Sequence, residues 1–200
     1  MTQSPPTRAT LLLRLRNADD TDAWSQFVRD YGPMLYRFVR SRGLQDADAA
    51  DLVQDVMRSV GAAIGRLDYQ KEKGGFRAWL FTVTRNKLYS YFEKNARIQQ
   101  GVGDTSTHEQ LGQAVDFREG LEDQWELEHQ RQMAMRAMEA IRESAEPKTW
   151  KAFEQTAVEG KPASSVASEL GMSAGAVYVA RSRITAKLRE EVERMLKEES

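Results

Sequence analysis

An all-α fold, with two small helical domains joined by a flexible acidic linker, is what this sequence predicts, on three observations. Apolar residues recur every three to four positions through most of the chain. No segment alternates with period two over a strand's length, and near the middle a glycine-bearing acidic stretch breaks the pattern. With 200 residues, 40% of them hydrophobic and 30% charged, the chain is apolar enough to fold and too interrupted to be a membrane protein. Its size suits one ordinary domain or two small ones.

Residues 1–18 form an N-terminal segment whose leucine run, Leu11 to Leu13, is cut by Arg14 and Arg16. The run makes neither a signal-peptide core nor a bilayer span, so a cytoplasmic location without membrane insertion is expected. The first domain, 19–95, opens with Trp24, Phe27, Val28, Tyr31, Leu35 and Val39 at helical spacing, and Gly32-Pro33 predicts a kink or break there. Leu52, Val53, Val56, Met57, Val60 and Ile64 repeat the spacing, and Phe76, Trp79, Leu80 and Val83 repeat it again after Gly74-Gly75. The linker, 96–124, carries Gly101, Gly103, Gly112 and Gly120 with no sustained apolar period. Its 29 residues extend to about 95 Å, beyond the roughly 70 Å of two duplex turns.

In the second domain, 125–197, the stripe is Leu127, Ala134, Ala137, Met138 and Ile141. Pro147 sits where a first helical turn tolerates it; Trp150, Phe153, Ala157 and Val158 give a buried face before Gly160. A short helix from Ala163 to Leu170 then ends at Gly171, and Ser173 offers a hydroxyl N-cap for a long last helix. That helix buries Val177, Ile184, Leu188, Val192 and Met195, which together is a helix-turn-helix grammar.

The absence of cysteine removes disulfides, thiolate zinc sites and cysteine nucleophiles. His108 and His129 lack metal-ligand spacing, and neither a nucleotide-binding glycine pattern nor a nucleophile elbow is present. The expectation is a protein that is not an enzyme, with no cofactor and no metal.

A formal charge of −1 hides strong zoning. Seven basic residues between Lys71 and Arg97 face only Glu72 and Glu93, whereas eight acids between Gly101 and Glu128 face only Arg118. Asp46, Asp48, Asp51 and Asp55 have no basic partner in sequence; Asp51, Gln54 and Asp55 project together at i, i+3 and i+4. Such a stripe suits docking against a basic protein surface or plain solvation. Basic residues interleaved with Tyr69, Phe76, Trp79, Phe81, Tyr89, Tyr91 and Phe92 suit single-stranded nucleic acid, with Tyr69 the better stacking candidate and Trp79 and Leu80 assigned to the core. In the last helix Ala174, Tyr178, Arg181 and Thr185 share an exposed face, and Arg181 and Arg183 meet base edges or phosphates if the pair of helices reads DNA. A helix hairpin with a solvated basic face is the alternative.

Together the motifs, in this order, resemble the extracytoplasmic-function class of bacterial RNA polymerase sigma factors over nearly the whole chain. DADAADLVQDVMRSV resembles the family's polymerase-clamp-binding helix, FRAWLFTVTRNKLYSYF its start-proximal promoter helix, and LGMSAGAVYVARSRITAKLRE its upstream-element helix-turn-helix. The resemblance implies core RNA polymerase as a partner through Asp51, Gln54 and Asp55. It implies promoter DNA as the other partner, both single-stranded and duplex. The minus-10 strand would be held by Tyr69, Lys71, Lys73, Arg77, Arg85, Asn86 and Lys87. The minus-35 duplex would be read by Ser173, Ala174, Tyr178, Arg181 and Arg183. Members of this family are often held by an anti-sigma factor, and the residues here name none. Tyr178, Val179 and Ala180 depart from the family's usual basic or hydroxyl residues, so the upstream DNA sequence does not transfer. A free-standing DNA-binding regulator and a helical adaptor are the rival readings; the first leaves the Asp51 stripe without a use.

Overall fold

A computed structural model describes residues 8–66, 75–100 and 119–199. Every regular element among them is helical, and no strand occurs among the described residues. The chain divides into two compact units, Met1–Gln130 with Glu198–Ser200, and Arg131–Lys197.

In the first unit, α1 (Arg8–Arg14) leads to α2 (Thr21–Arg40). Asp20 caps α2 by accepting from the Ala23 N–H at 2.9 Å, and Arg14 grips the same carboxylate through two 2.8 Å hydrogen bonds. These contacts hold the Asp20 carboxyl below its usual range, with the Arg14 hydrogen bond the largest cause. The N-terminal segment is part of the packing, since Leu11 and Leu15 are fully buried in the first core.

The break expected at Gly32-Pro33 does not occur: α2 runs through Pro33. Proline removes one ladder hydrogen bond and crowds the preceding turn, but Pro33 is exposed, and the buried residues on both sides, Phe27, Tyr31, Met34, Leu35, Phe38 and Val39, anchor one helix to the core. Helix α3 (Asp46–Ala63), extended by a 3-10 turn (Ile64–Arg66), buries Ala49, Leu52, Val56, Val60 and Ile64. Helix α4 (Gly75–Gln100) buries Phe76, Leu80, Thr84 and Leu88, each four residues after the last. The Thr84 hydroxyl donates to the Leu80 carbonyl at 2.8 Å, so no polar group is left unpaired in that stripe.

Helix α5 (Leu121–Ser144) changes the sequence picture most. Helices α4 and α5 take up residues at both ends of the expected linker, leaving 101–118 outside the described residues. The predicted stripe through Leu127 and Ala134 is also displaced: both are exposed, and the buried positions are Leu121, Trp125, Glu128, His129, Gln132, Met133 and Ala137. Three of those are polar, which is why apolar periodicity missed the face.

In the second unit, Glu146 caps α6 (Pro147–Phe153) by accepting from the Lys148 and Thr149 N–H groups at 3.1 and 2.7 Å, with Pro147 in the first turn. A wider π turn (Glu154–Val158) follows and shifts the register. Thr156 is therefore buried, its hydroxyl on the Ala152 carbonyl at 2.6 Å, whereas Ala157 and Val158, expected inside, are exposed. Helix α7 (Ala163–Leu170) ends at Gly171 with φ 58° and ψ 46°, and the Met172 N–H bonds the Ala167 carbonyl at 2.8 Å across that turn. Helix α8 (Ala174–Glu199) completes the unit. Val166, Ala167, Val177 and Ala180 pack with Ala152, and Ile184 packs with Trp150 and Phe153.

Candidate nucleic-acid interface

Three surfaces carry the residues singled out in sequence. On α3, packing of Leu52 and Val56 inward turns the acids outward, and their surroundings differ. Asp46 is ion-paired with Arg40 at 2.8 Å and accepts from the Tyr36 hydroxyl at 3.0 Å. Asp48 accepts from the Tyr91 hydroxyl at 2.8 Å. Burial, and then the hydrogen bonds to these carboxylates, hold both phenols above their usual range. Asp55 pairs with Arg58 one turn on, at 2.5 Å. The expectation of four unpartnered carboxylates is thus corrected, because Tyr36, Arg40 and Tyr91 come from other helices and Arg58 from the same one. Asp51 and Gln54 are exposed, and no partner holds Asp51 among the described residues.

On α4, Arg77 is ion-paired with Glu126 of α5. Burial pushes the Glu126 carboxyl up, but the Arg77 and Gln130 hydrogen bonds and the Arg77 charge outweigh it and hold the group below the usual glutamate range. The Arg85 guanidinium lies over the Phe81 ring, 5.6 Å from its centroid. Asn86 is exposed and Lys87 half-buried. Trp79 is half-buried against the core and Leu80 fully buried, as their spacing predicted. Tyr69, Lys71 and Lys73 lie outside the described residues.

The start of α5 converges on this region, and sequence reasoning did not assign it there. Trp125 packs on Phe38 at 5.1 Å and 86°, and on Phe81 at 5.3 Å and 50°. Arg37 pairs with the buried Glu128 at 2.8 Å, and Arg42 donates to the carbonyls of Glu119 and Gly120 at 2.9 and 3.3 Å. The available signal was a tryptophan and a run of acids just beyond the glycines, facing a basic block of opposite sign.

On α8, the Ser173 hydroxyl accepts from the Ala176 N–H at 3.1 Å, the cap its position predicted. Val177, Ala180 and Ile184 face inward. Ala174, Tyr178, Arg181 and Arg183 are exposed, and Thr185 is half-buried with its hydroxyl on the Arg181 carbonyl at 2.8 Å. No group of three or more potential ligands for a metal ion occurs among the described residues, and none of their helices is long and apolar enough to cross a membrane.

Residues 27–98, covering most of α2 and all of α3 and α4, match the Sigma-70 region 2 family. The RNA polymerase sigma factor NccH of Alcaligenes xylosoxydans xylosoxydans is 34% identical over 77 residues, which is 38% of this chain and 40% of that protein. The RNA polymerase sigma factor CnrH of Cupriavidus metallidurans is 32% identical over 78 residues, 39% of each chain. The matched part therefore spans about two fifths of the length of these curated relatives. The solved structure of CnrH in complex with the cytosolic domain of CnrY aligns over 92% of this chain and 96% of that one, at 22% identity and a TM-score of 0.36. The helical first unit is thus built around a sigma-70 region 2 domain. Over that stretch the chain is similar to region 2 of sigma-70 and to the sigma factors NccH and CnrH.

Proposed function

We infer that the protein binds core RNA polymerase and directs promoter-specific transcription initiation, including opening of the minus-10 element. The observation that carries this reading is the region 2 match over residues 27–98, within which Asp51 and Gln54 stand exposed on a helix whose other face is core. A polymerase alone holds DNA mainly through salt-dependent phosphate contacts; a docked specificity subunit adds sequence choice without any covalent step.

In this reading Asp51, Gln54 and Asp55 accept charge-assisted hydrogen bonds from the polymerase clamp. Residues 19–95 form the minus-10 domain. An extruded base stacks near Tyr69, at about 1–3 kcal/mol, which offsets part of the few kcal/mol needed to unpair and unstack it. Lys71, Lys73, Arg77, Arg85, Asn86 and Lys87 follow the adjoining backbone. Residues 131–197 form the minus-35 domain, engaging duplex through Ser173, Ala174, Tyr178, Arg181 and Arg183, and the chain between α4 and this unit joins the two.

The test is transcription in vitro with purified core polymerase, a promoter library and mapped start sites. Initiation at defined positions only when the chain is added supports the reading, and unchanged initiation removes it. A free-standing DNA-binding regulator would bind DNA in the same assay without creating new start sites.

A further inference from the structure

We propose that α8 reads the upstream duplex through a central strip of Tyr178, Val179 and Ser182, while Arg181 and Arg183 hold the phosphate strands on either side. The apolar pair would then choose the sequence, and the arginines supply affinity. This deepens the minus-35 assignment and rests on it.

Val177, Ala180 and Ile184 of α8 are buried, which fixes the rotation of the helix about its axis. Each residue advances about 100° around a helix. Arg181 and Arg183, two apart, are therefore separated by about 200° and leave the helix in nearly opposite directions. Both cannot address the same base edges. Ser182 lies midway between them, directly opposite the buried stripe, and Gly175, Tyr178 and Val179 fall in the same outward sector. All four are exposed.

Two of those residues are costly to leave in water. Tyr178 is 61% accessible and Val179 50%, side by side on a helix whose inward face already has its own apolar residues. Charge selects what would cover them. Arg181 and Arg183 are exposed on the two flanks, and among the described residues no carboxylate pairs with either. An apolar strip between two exposed arginines, one on each flank, is complementary to the DNA major groove, whose walls are phosphate strands and whose floor offers the thymine methyl as its apolar feature. Space permits close approach as well. A Cβ at Gly175 would meet only the Ser173 hydroxyl oxygen, at 3.9 Å, so the chain's own packing leaves the first turn of α8 open on that side.

Selection from a duplex library with a randomised upstream block, using the full chain on core polymerase, tests the assignment. The wild-type chain is expected to enrich thymine at one or two positions. Replacing those thymines by deoxyuridine, which lacks only the methyl group, should weaken binding about three- to fivefold. Val179→Ala or Tyr178→Ala should abolish that discrimination and the enrichment at the matching position. Arg181→Ala and Arg183→Ala should instead weaken every sequence alike and make the salt dependence shallower, by about one unit of logarithmic slope each. Circular dichroism confirms that each variant keeps its helices. Base preferences that move with the arginines and not with Val179 or Tyr178, or indifference to deoxyuridine, overturn the proposal and leave the minus-35 reading intact. No enrichment by the wild-type chain removes both.

Discussion

Arg37 and Glu128, 91 residues apart, form an ion pair at 2.8 Å in which the carboxylate is the buried member, its side chain 2% accessible against 30% for the guanidinium. The two substitutions that break the pair are therefore unequal. Arg37→Ala removes the charged partner of a desolvated carboxylate that keeps its hydrogen bond from Gln124, and is expected to cost about 3 kcal/mol. Glu128→Gln leaves a guanidinium that reaches water and an amide that still accepts a hydrogen bond, so its cost should be nearer 1 kcal/mol. Urea denaturation of the full chain gives both values, and equal losses would contradict the burial asymmetry.

Glu126 supplies a pH dependence. Its folded carboxyl titrates below the ordinary glutamate range because Arg77 and Gln130 outweigh the opposing effect of burial. The stabilisation is therefore present above the unfolded value and is lost as pH falls through the lower, folded one. The stability advantage of wild type over Glu126→Gln should shrink on acidification below the ordinary glutamate range. Urea midpoints of both proteins across that interval measure it, and a constant gap would mean that the Arg77 pair contributes no pH-linked stability.

Asp51 and Asp55 carry the polymerase assignment. Reversing both to Lys should abolish capture of purified core polymerase while the far-ultraviolet spectrum keeps its helical form. Asp51 has no internal partner to lose among the described residues, and the Asp55 pair with Arg58 is an exposed one of small energetic weight. Normal capture by the double variant would reject docking through this face.

Gly171 tests the turn between α7 and α8. Its φ of 58° is left-handed, and a Cβ there would touch nothing within 4 Å. The cost of Gly171→Ala is thus conformational, about 1–2 kcal/mol, and thermal unfolding should fall accordingly. Gly171→Asn, which tolerates that conformation better, should recover part of the loss.

Local chemistry was the legible part of the fold. Gly171, Ser173 and Pro147 act within a turn of where they stand, so their roles could be read from neighbours in sequence. Pro33 did not break α2, because core residues on both sides of it hold one continuous helix. The displaced stripe of α5 was illegible for a different reason: the buried Glu128 meets its charged partner 91 residues away, and nothing within a helical turn announces an Arg37. The exposed face of α3 was legible as acidic but not as partly neutralised, since Asp46 and Asp48 depend on Tyr36, Arg40 and Tyr91.

The Arg77 contact has a bearing on how much cationic character a polyanion meets. Of the seven bases counted between Lys71 and Arg97, Arg77 is already neutralised by Glu126, and Arg85 rests on the Phe81 ring. Engagement of a phosphate by Arg77 is an exchange of one anion for another, so its net gain is the difference between two salt bridges. The effective valence of this surface is smaller than its composition states, and only displacement of the Glu126 carboxylate restores the missing unit.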